Sequence, residues 1–141
     1  MKTLLLVLAL AAVCSGWQGC TGGYINIAGG CYRFHQDWET WWHAKKVCSS
    51  ENAKLVSVLT YAQYNGLLAH MNGNYPGTYW TSGAVISGHW TWTGTGGSMN
   101  PNWWGWKNGN YADHCAYFCS ITLKYWSKPC STKLRYICEK H

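Results

Sequence analysis

The sequence predicts an α+β fold with two helices, small antiparallel sheets and a long irregular loop, all stapled by disulfides. Helical periodicity is confined to two segments in the first half of the chain. The second half has short alternating stretches separated by Gly, Asn and Trp. Eight cysteines occur in 141 residues, and no Cys-x-x-Cys pair favours a zinc module. The cysteines are therefore expected to form disulfides in an oxidising compartment.

The first 16 residues are typical of a secretory signal peptide. Lys2 supplies a positive start, residues 4–13 form an apolar run, and the small residues Ser15 and Gly16 suit a cleavage site. As a helix this run rises about 15 Å, half the thickness of a bilayer core, which is too short for a membrane anchor. We therefore predict a secreted, extracellular protein with a signal peptide at 1–16 and one domain at 17–141.

The first half of the domain is predicted to hold a hairpin and two helices. Cys20 and Cys31 lie eleven residues apart around glycine-bracketed β-prone stretches, a spacing that suits a stapled hairpin. Thr40 is predicted to cap a helix that runs to about Asn52, and Thr60 to cap a second helix. The apolar positions that recur at helical spacing are Trp41, Ala44, Val47 and Cys48 in the first, and Tyr64, Leu67, Leu68 and Met71 in the second.

The second half is predicted to consist of short strands around a long loop. Residues 55–58 read as a short strand or turn, and Trp90-Thr91-Trp92 is a brief alternation. Alternation returns at about 115–123 and at 134–138, which predicts two late strands. Residues 93–112 lack any periodicity, and a loop of that length is often functional.

Several segments, taken in their joint order and spacing, resemble C-type lectin-like domains, most like the arthropod versions. The resemblance spans about 20 to 139. Its residues are Thr40-Trp41 with Ala44 and Cys48, Ala53-Lys54-Leu55-Val56-Ser57, Tyr79-Trp80-Thr81-Ser82-Gly83, Gly88-His89-Trp90-Thr91-Trp92, Cys115, Trp126, Cys130 and Tyr136-Ile137-Cys138-Glu139.

The resemblance also implies a disulfide pairing. Cysteine counting alone leaves on the order of a hundred arrangements of the seven cysteines beyond the signal peptide. The family pairing, carried onto matching positions, joins Cys20 to Cys31, Cys48 to Cys138 and Cys115 to Cys130. Cys119 is left over, and in an oxidising compartment such a thiol is either buried and inert or linked to another chain. We expect a disulfide-linked dimer through Cys119, with Cys14 as the alternative partner if cleavage falls before it.

The calcium-binding triplets of the family are absent. Sugar-binding members hold the ion with Glu-Pro-Asn or Gln-Pro-Asp in the long loop and with Trp-Asn-Asp before the next cysteine. The matching positions here read Trp106-Lys107-Asn108 and Trp126-Ser127-Lys128. Calcium takes six to eight oxygen ligands, and Asp113, the weakest of candidates, is the lone acidic side chain between 79 and 130. No cofactor is expected, and any calcium dependence should be weak.

Aromatic residues of the long loop are the candidate ligand-binding site. Trp104, Trp106 and Tyr111 lie among Gly, Asn and Lys, and exposed large rings there favour contact with a ligand. Lys107 and Asn108 would supply hydrogen bonds at the rim. The open alternative is that these rings fold back and fill the loop. Three other tryptophans, Trp90, Trp92 and Trp103, match structural positions of the family and are expected in the core.

Charge and catalytic motifs exclude other classes. Without Lys2 the chain carries 10 basic and 5 acidic side chains, scattered apart from Lys45-Lys46, so nucleic acid is not an expected partner. Five acidic residues make a glycosidase-type carboxylate pair improbable, and no Gly-x-Ser-x-Gly elbow occurs, so an enzyme is not expected.

These observations predict a secreted carbohydrate-binding protein whose binding is calcium-independent or weakly calcium-dependent. Its partners would be glycans, including anionic ones, without a membrane anchor. Recognition of microbial surfaces is the role that the resemblance suggests. The alternative is a non-sugar interaction protein, associated with matrix or mineral, on the same fold.

Overall fold

The structure is a computed structural model that describes residues 19–105, 112–122 and 124–141. The predicted signal peptide, 1–16, lies outside these residues. In chain order the described elements are β1 (Ile25–Ile27), β2 (Gly30–Glu39), α1 (Trp41–Ser50), β3 (Lys54–Leu55), α2 (Tyr61–Asn74), β4 (Thr78–Ile86), β5 (His89–Trp92), a 3-10 turn (Pro101–Trp103), β6 (His114–Cys119), β7 (Lys124–Pro129) and β8 (Leu134–Lys140).

Both helices begin at the predicted caps. The Thr40 hydroxyl accepts a hydrogen bond from the backbone N–H of His43 at 3.3 Å, and Thr60 accepts one from Gln63 at 3.1 Å. Helix α1 ends at Ser50, two residues earlier than predicted, because Asn52 adopts a left-handed backbone conformation with φ of 56°. None of the helices in the described ranges is long and apolar enough to cross a membrane.

The described strands form one mixed sheet in the order β1-β2-β8-β4-β6-β7. Strand β3 pairs with β8 and β5 pairs with β4. Strands β4 and β8 are parallel, and the other pairs are antiparallel. This order brings the last strand into the middle of the sheet and leaves β7 at one edge.

Two strands differ from the sequence prediction. The single strand predicted at 115–123 ends at Cys119, and a turn and the unpredicted edge strand β7 follow. Tyr125 is the only fully buried residue of β7, so its sequence has little apolar alternation to reveal it. Strand β4 was not predicted as a strand because residues 79–84 are all buried, which also removes alternation.

Apolar side chains pack on both faces of the sheet. Tyr79, Phe118 and Ile137 belong to one cluster, with the apolar positions of α2. Their chain neighbours Trp80 and Tyr136 belong to the other cluster, with those of α1. Because neighbouring residues of a strand point to opposite faces, α1 and α2 cover opposite faces of the sheet.

Three disulfides tie this architecture together, and they are the pairs that the resemblance implies. Cys20–Cys31 closes the N-terminal hairpin, Cys48–Cys138 joins α1 to β8, and Cys115–Cys130 joins β6 to the turn after β7. The Cys48–Cys138 bridge closes a separation of 90 residues. Cys119 is the free cysteine of the described part of the chain.

Candidate functional site

The predicted long loop, 93–112, lies along the edge strand β7 at residues 104–105. Trp104 forms an isolated parallel bridge with Tyr125, and the backbone N–H of Gly105 donates to the Tyr125 carbonyl at 2.8 Å. The described course of the chain stops at residue 105 and resumes at residue 112. Four of the predicted site residues, Trp106, Lys107, Asn108 and Tyr111, lie outside the described residues.

Trp104, the fifth predicted site residue, is half-buried at the base of this loop. Its ring centroid lies 4.9 Å from that of Trp90 and 5.9 Å from that of Tyr125. The ring is therefore partly a packing element, as the fold-back alternative describes, and partly open to solvent. Of the tryptophans expected in the core, Trp92 and Trp103 are fully buried and Trp90 is half-buried.

Gly105 packs closely against the indole of Trp126 in β7. A Cβ atom added at Gly105 would lie 2.3 Å from two ring atoms of Trp126, so a side chain there would displace the ring. The Trp126 Nε1 donates to the Thr122 hydroxyl at 2.7 Å, which fixes the ring orientation. Tyr117 is the direct cross-strand partner of Trp126.

We name three half-buried rings that flank this sheet edge the aromatic edge: Trp104 on the α2 face, and Tyr117 and Trp126 on the α1 face. Tyr117 was not singled out from the sequence, and Trp126 was noted only as a family position. Little in the sequence signals that Tyr117 and Trp126 lie side by side, because β7 lacks apolar alternation. Pairing of the two strands across a turn was needed to see it.

The β7 residues that match the family's Trp-Asn-Asp calcium triplet carry different functional groups. The Ser127 hydroxyl lies 3.0 Å from Nδ1 of His114, and the Lys128 ammonium lies 5.4 Å from the centroid of the Tyr117 ring. Asp113 is exposed at the start of β6. An ammonium group repels a cation, and a hydroxyl with one carboxylate falls short of the oxygen set that calcium takes. The residues present here do not fit the ion.

One group of metal-ligating side chains lies together elsewhere in the described residues. It consists of His35, Glu51 and Cys138. Cys138 is bonded to Cys48, and the Glu51 carboxylate accepts a hydrogen bond from the Tyr24 hydroxyl at 2.7 Å. A disulfide sulfur is a poor ligand because metal binding by cysteine requires the thiolate, so this group is structural.

The sequence model of the Lectin C-type domain family matches residues 37–140, which is most of the chain. This chain belongs to the C-type lectin domain family. The disulfide pattern and the two-helix mixed sheet described above are accordingly those of a C-type lectin domain.

Individual relatives of this C-type lectin domain differ in what their names describe. C-type lectin domain family 10 member A of Rattus norvegicus is 30% identical, over 85% of this chain and 41% of the relative. A snaclec coagulation factor IX/factor X-binding protein of Echis carinatus is 26% identical, over 85% of this chain and 96% of the relative. The solved complex of SPL-1 with GlcNAc has a TM-score of 0.76 and 25% identity, covering 86% of this chain and 94% of that chain.

The C-type lectin domain described here spans 41% to 48% of the length of the first four curated relatives that it matches. Their similarity therefore concerns the domain and not the whole relatives.

Cys119 lies beside the aromatic edge of this C-type lectin domain. It is half-buried at the end of β6, opposite Lys124 in the strand register. Burial raises the pKa of its thiol, but hydrogen bonds from Thr122 and the backbone of Ile121, with the charge of Lys128, outweigh it and leave the pKa below its ordinary value. A lowered pKa increases the thiolate fraction and hence the reactivity toward another disulfide.

Proposed function

We propose that the chain is a secreted protein that binds carbohydrate without calcium, using the aromatic edge and the loop segment 106–111. One observation carries the proposal. Half-buried rings flank one sheet edge on both faces, with Trp104 on the α2 face and Tyr117 and Trp126 on the α1 face, and a segment containing two further rings, Trp106 and Tyr111, follows Trp104 in the chain. Aromatic faces at an open edge suit the apolar C–H faces of sugars, which bury area without any metal.

Polar groups near these rings would orient the sugar. The Lys128 ammonium over Tyr117 can donate to a hydroxyl or to an anionic group at the rim. Lys107 and Asn108, in the undescribed segment, add a second ammonium and an amide. This composition favours glycans that carry some negative charge.

The charges of the same residues disfavour calcium binding. Binding a divalent cation next to Lys128 would place like charges close together at a site with one carboxylate, Asp113. Any residual binding should be in the millimolar range typical of poorly charged sites. We expect the protein to bind its glycan equally well in EDTA.

We also propose a ligand on microbial surfaces and a disulfide-linked dimer. The ligand would lie on microbial surfaces, a role supported by the family and by the extracellular setting that the disulfides favour. The protein would form a disulfide-linked dimer through Cys119, because that thiol is half-exposed and its pKa is lowered. Two linked copies would bind repeated surface glycans more tightly through avidity.

The second candidate function is binding of a protein, matrix or mineral on the same fold. It is favoured by the similarity to the snaclec protein, named for binding coagulation factors IX and X, because 96% of that relative is covered. Such a ligand would contact the aromatic edge without needing sugar hydroxyls.

A glycan array in calcium and in EDTA tests the proposal, using the parent protein and two tryptophan variants. Trp106→Ala should weaken binding at least about thirtyfold, as loss of an aromatic worth about 2 kcal/mol predicts. Trp38→Ala removes an exposed ring from β2, remote in sequence from the edge, and serves as the matched control. Its binding should be unchanged.

Three results would contradict the proposal. A parent protein that binds no glycan favours the second candidate. Binding that is abolished by EDTA would require a calcium cage that the described residues do not form. A Trp106→Ala variant that binds as the parent does would place the site elsewhere.

A further inference from the structure

A basic groove runs along the outer face of α1 and β3, away from the aromatic edge. Three surface depressions of about 240, 500 and 410 Å³ meet at Ser49 of α1. Lys45 lines two of them and Lys54 lines two, with the turn around Gly94 as the opposite wall. Because the depressions share these residues, they form one continuous surface.

The fold gathers lysines that the sequence keeps apart. Lys45 and Lys46 lie on α1, Lys54 on β3 and Lys140 on β8, and all four line the groove. Strand β3 pairs with β8, placing Lys54 opposite Glu139, the neighbour of Lys140 in the chain. We name these four side chains and the surface between them the lysine groove.

One acidic side chain, Glu139, lines this groove. Glu139 is 4% exposed, and its carboxylate accepts a hydrogen bond from the backbone N–H of Ser57 at 2.8 Å. Burial raises the pKa of Glu139, which favours its neutral form. The other four acidic residues, Asp37, Glu39, Glu51 and Asp113, do not line the three depressions. Four lysines against this one buried acidic side chain give the groove a positive net charge.

Contacts along the floor hold two of the lysines in place. The Lys54 ammonium donates to the Gly94 carbonyl at 3.2 Å, and the Lys45 ammonium lies 5.3 Å from the centroid of the Trp41 ring. Each keeps unused donors, since an ammonium group has three N–H bonds. Trp42, 57% exposed, stands at one end and offers an indole face.

We propose that the lysine groove binds a sulfated polysaccharide chain. A linear chain can lie along this shallow surface, and its sulfate groups complement the four ammonium groups that line it. Hydroxyls such as that of Ser49 suit sugar hydroxyls, and Trp42 can pack against a sugar ring. The disulfide-stapled domain belongs in an oxidising, extracellular setting where such chains occur. The groove is separate from the aromatic edge, and the inference does not depend on the function proposed there.

Calorimetric titration with heparin, a soluble sulfated polysaccharide, tests the proposal. Lys45→Gln combined with Lys54→Gln should weaken heparin binding at least about tenfold at low salt, because two charges of the groove are lost. Lys124→Gln combined with Lys133→Gln changes the net charge equally and should weaken binding by less than about threefold. Melting curves establish that both double variants are folded. Parent binding should also weaken steeply as salt screens the charges.

Three further titrations distinguish the groove from the aromatic edge and from nonspecific attraction of anions. Desulfated heparin should bind much more weakly than heparin, and Trp106→Ala should retain most of the heparin affinity while losing the glycans that the parent binds on the array. Equal losses in the two double variants would overturn the groove assignment, because binding would then depend only on net charge. Duplex DNA or phosphatidylserine vesicles that bind as tightly as heparin, with the same lysine dependence, would overturn the assignment to a polysaccharide.

Discussion

Two ends of this domain are held together by different interactions. The stapled end comprises the N-terminal hairpin, α1 and β8, and it contains two of the three disulfides. The aromatic edge, with β6 and β7, is held by one disulfide and by ring contacts of the half-buried Trp104 with Trp90 and with the buried Tyr125. The covalently closed end can therefore act as a scaffold for the partly exposed rings at the other end.

The stapled end also contains a charged network. The Glu51 carboxylate lies at the end of α1, where it accepts hydrogen bonds from the Tyr24 hydroxyl at 2.7 Å and from Arg33 at 3.1 Å. His35 Nε2 lies 3.1 Å from the same carboxylate. Residues of the hairpin, β2 and α1 are thus joined by polar contacts in addition to the disulfides.

The largest expected effect is the loss of the long disulfide. Cys48→Ala with Cys138→Ala removes the disulfide that closes a loop across a sequence separation of 90 residues. The chain-entropy model predicts that the free energy of unfolding falls by about 4.5 kcal/mol. Cys115→Ala with Cys130→Ala opens a 15-residue loop and should cost about 3 kcal/mol. Urea unfolding measures both. Equal costs would remove the energetic distinction between the two ends.

The second effect concerns Trp104, which separates packing from ligand contact. Its ring touches Trp90 and Tyr125, so Trp104→Ala should lower the free energy of unfolding by about 3 kcal/mol, the low end for a buried tryptophan. Trp38→Ala, with a half-exposed ring on β2, is the control and should cost under about 1 kcal/mol. If Trp104→Ala has the same free energy of unfolding as the parent, the ring contacts do not stabilise the edge, and the role of the ring would be ligand contact.

The third effect is the acid sensitivity of the stapled end. Burial raises the pKa of Glu51, but hydrogen bonds from Tyr24 and His35 and the charges of His35 and Arg33 leave the pKa below its ordinary value of 4.5. A carboxyl group whose pKa is lower in the folded state stabilises the fold above pH 4.5, and that stability is lost as the pH falls through the lowered pKa.

Glu51→Gln isolates this contribution. At neutral pH the variant should be less stable than the parent by about 2 kcal/mol, because hydrogen bonds to a charged acceptor are replaced by weaker ones. The difference should shrink as the pH falls below 4.5. Glu139, whose pKa is raised by burial, has the opposite sign and is present in both proteins. Urea unfolding at several pH values provides the comparison, and a difference that grows on acidification would contradict the assignment.

Local signals in the sequence predicted the helices, whereas long-range pairing determined what was missed. Thr40 and Thr60 cap helices by contacts three residues away, so their effect is visible in sequence. The edge strand β7 and the buried strand β4 lack alternation, and each is specified by its partners in the sheet. The disulfide pairs came from the family resemblance, since cysteine spacing alone leaves many arrangements.

The two candidate surfaces show the same limit. The aromatic residues at 104–111 lie within one short segment, so composition alone identified them. Trp106, Lys107, Asn108 and Tyr111 stay predictions because they lie outside the described residues. The lysine groove was not predicted, because Lys45, Lys54 and Lys140 come together only when β3 pairs with β8 beside α1. Residue charge is visible in a sequence, but its distribution over a surface is set by the fold.

The smallest effect on stability, and the last difference between the two ends, concerns Cys119. All cysteines of the stapled end are paired, whereas Cys119 beside the aromatic edge is free and half-buried. Its lowered thiol pKa favours the thiolate, and Ile121, 80% exposed in the adjoining turn, offers apolar surface for a second copy.

We therefore expect a disulfide-linked dimer on a non-reducing gel, which reduction converts to monomer. Cys119→Ser should abolish the dimer and change the free energy of unfolding by less than about 0.5 kcal/mol, because the thiol closes no loop within the chain. A parent protein that remains monomeric with one alkylatable thiol refutes the dimer. Disulfide mapping that instead finds Cys119 joined to Cys14 would show that the thiol is used within one chain.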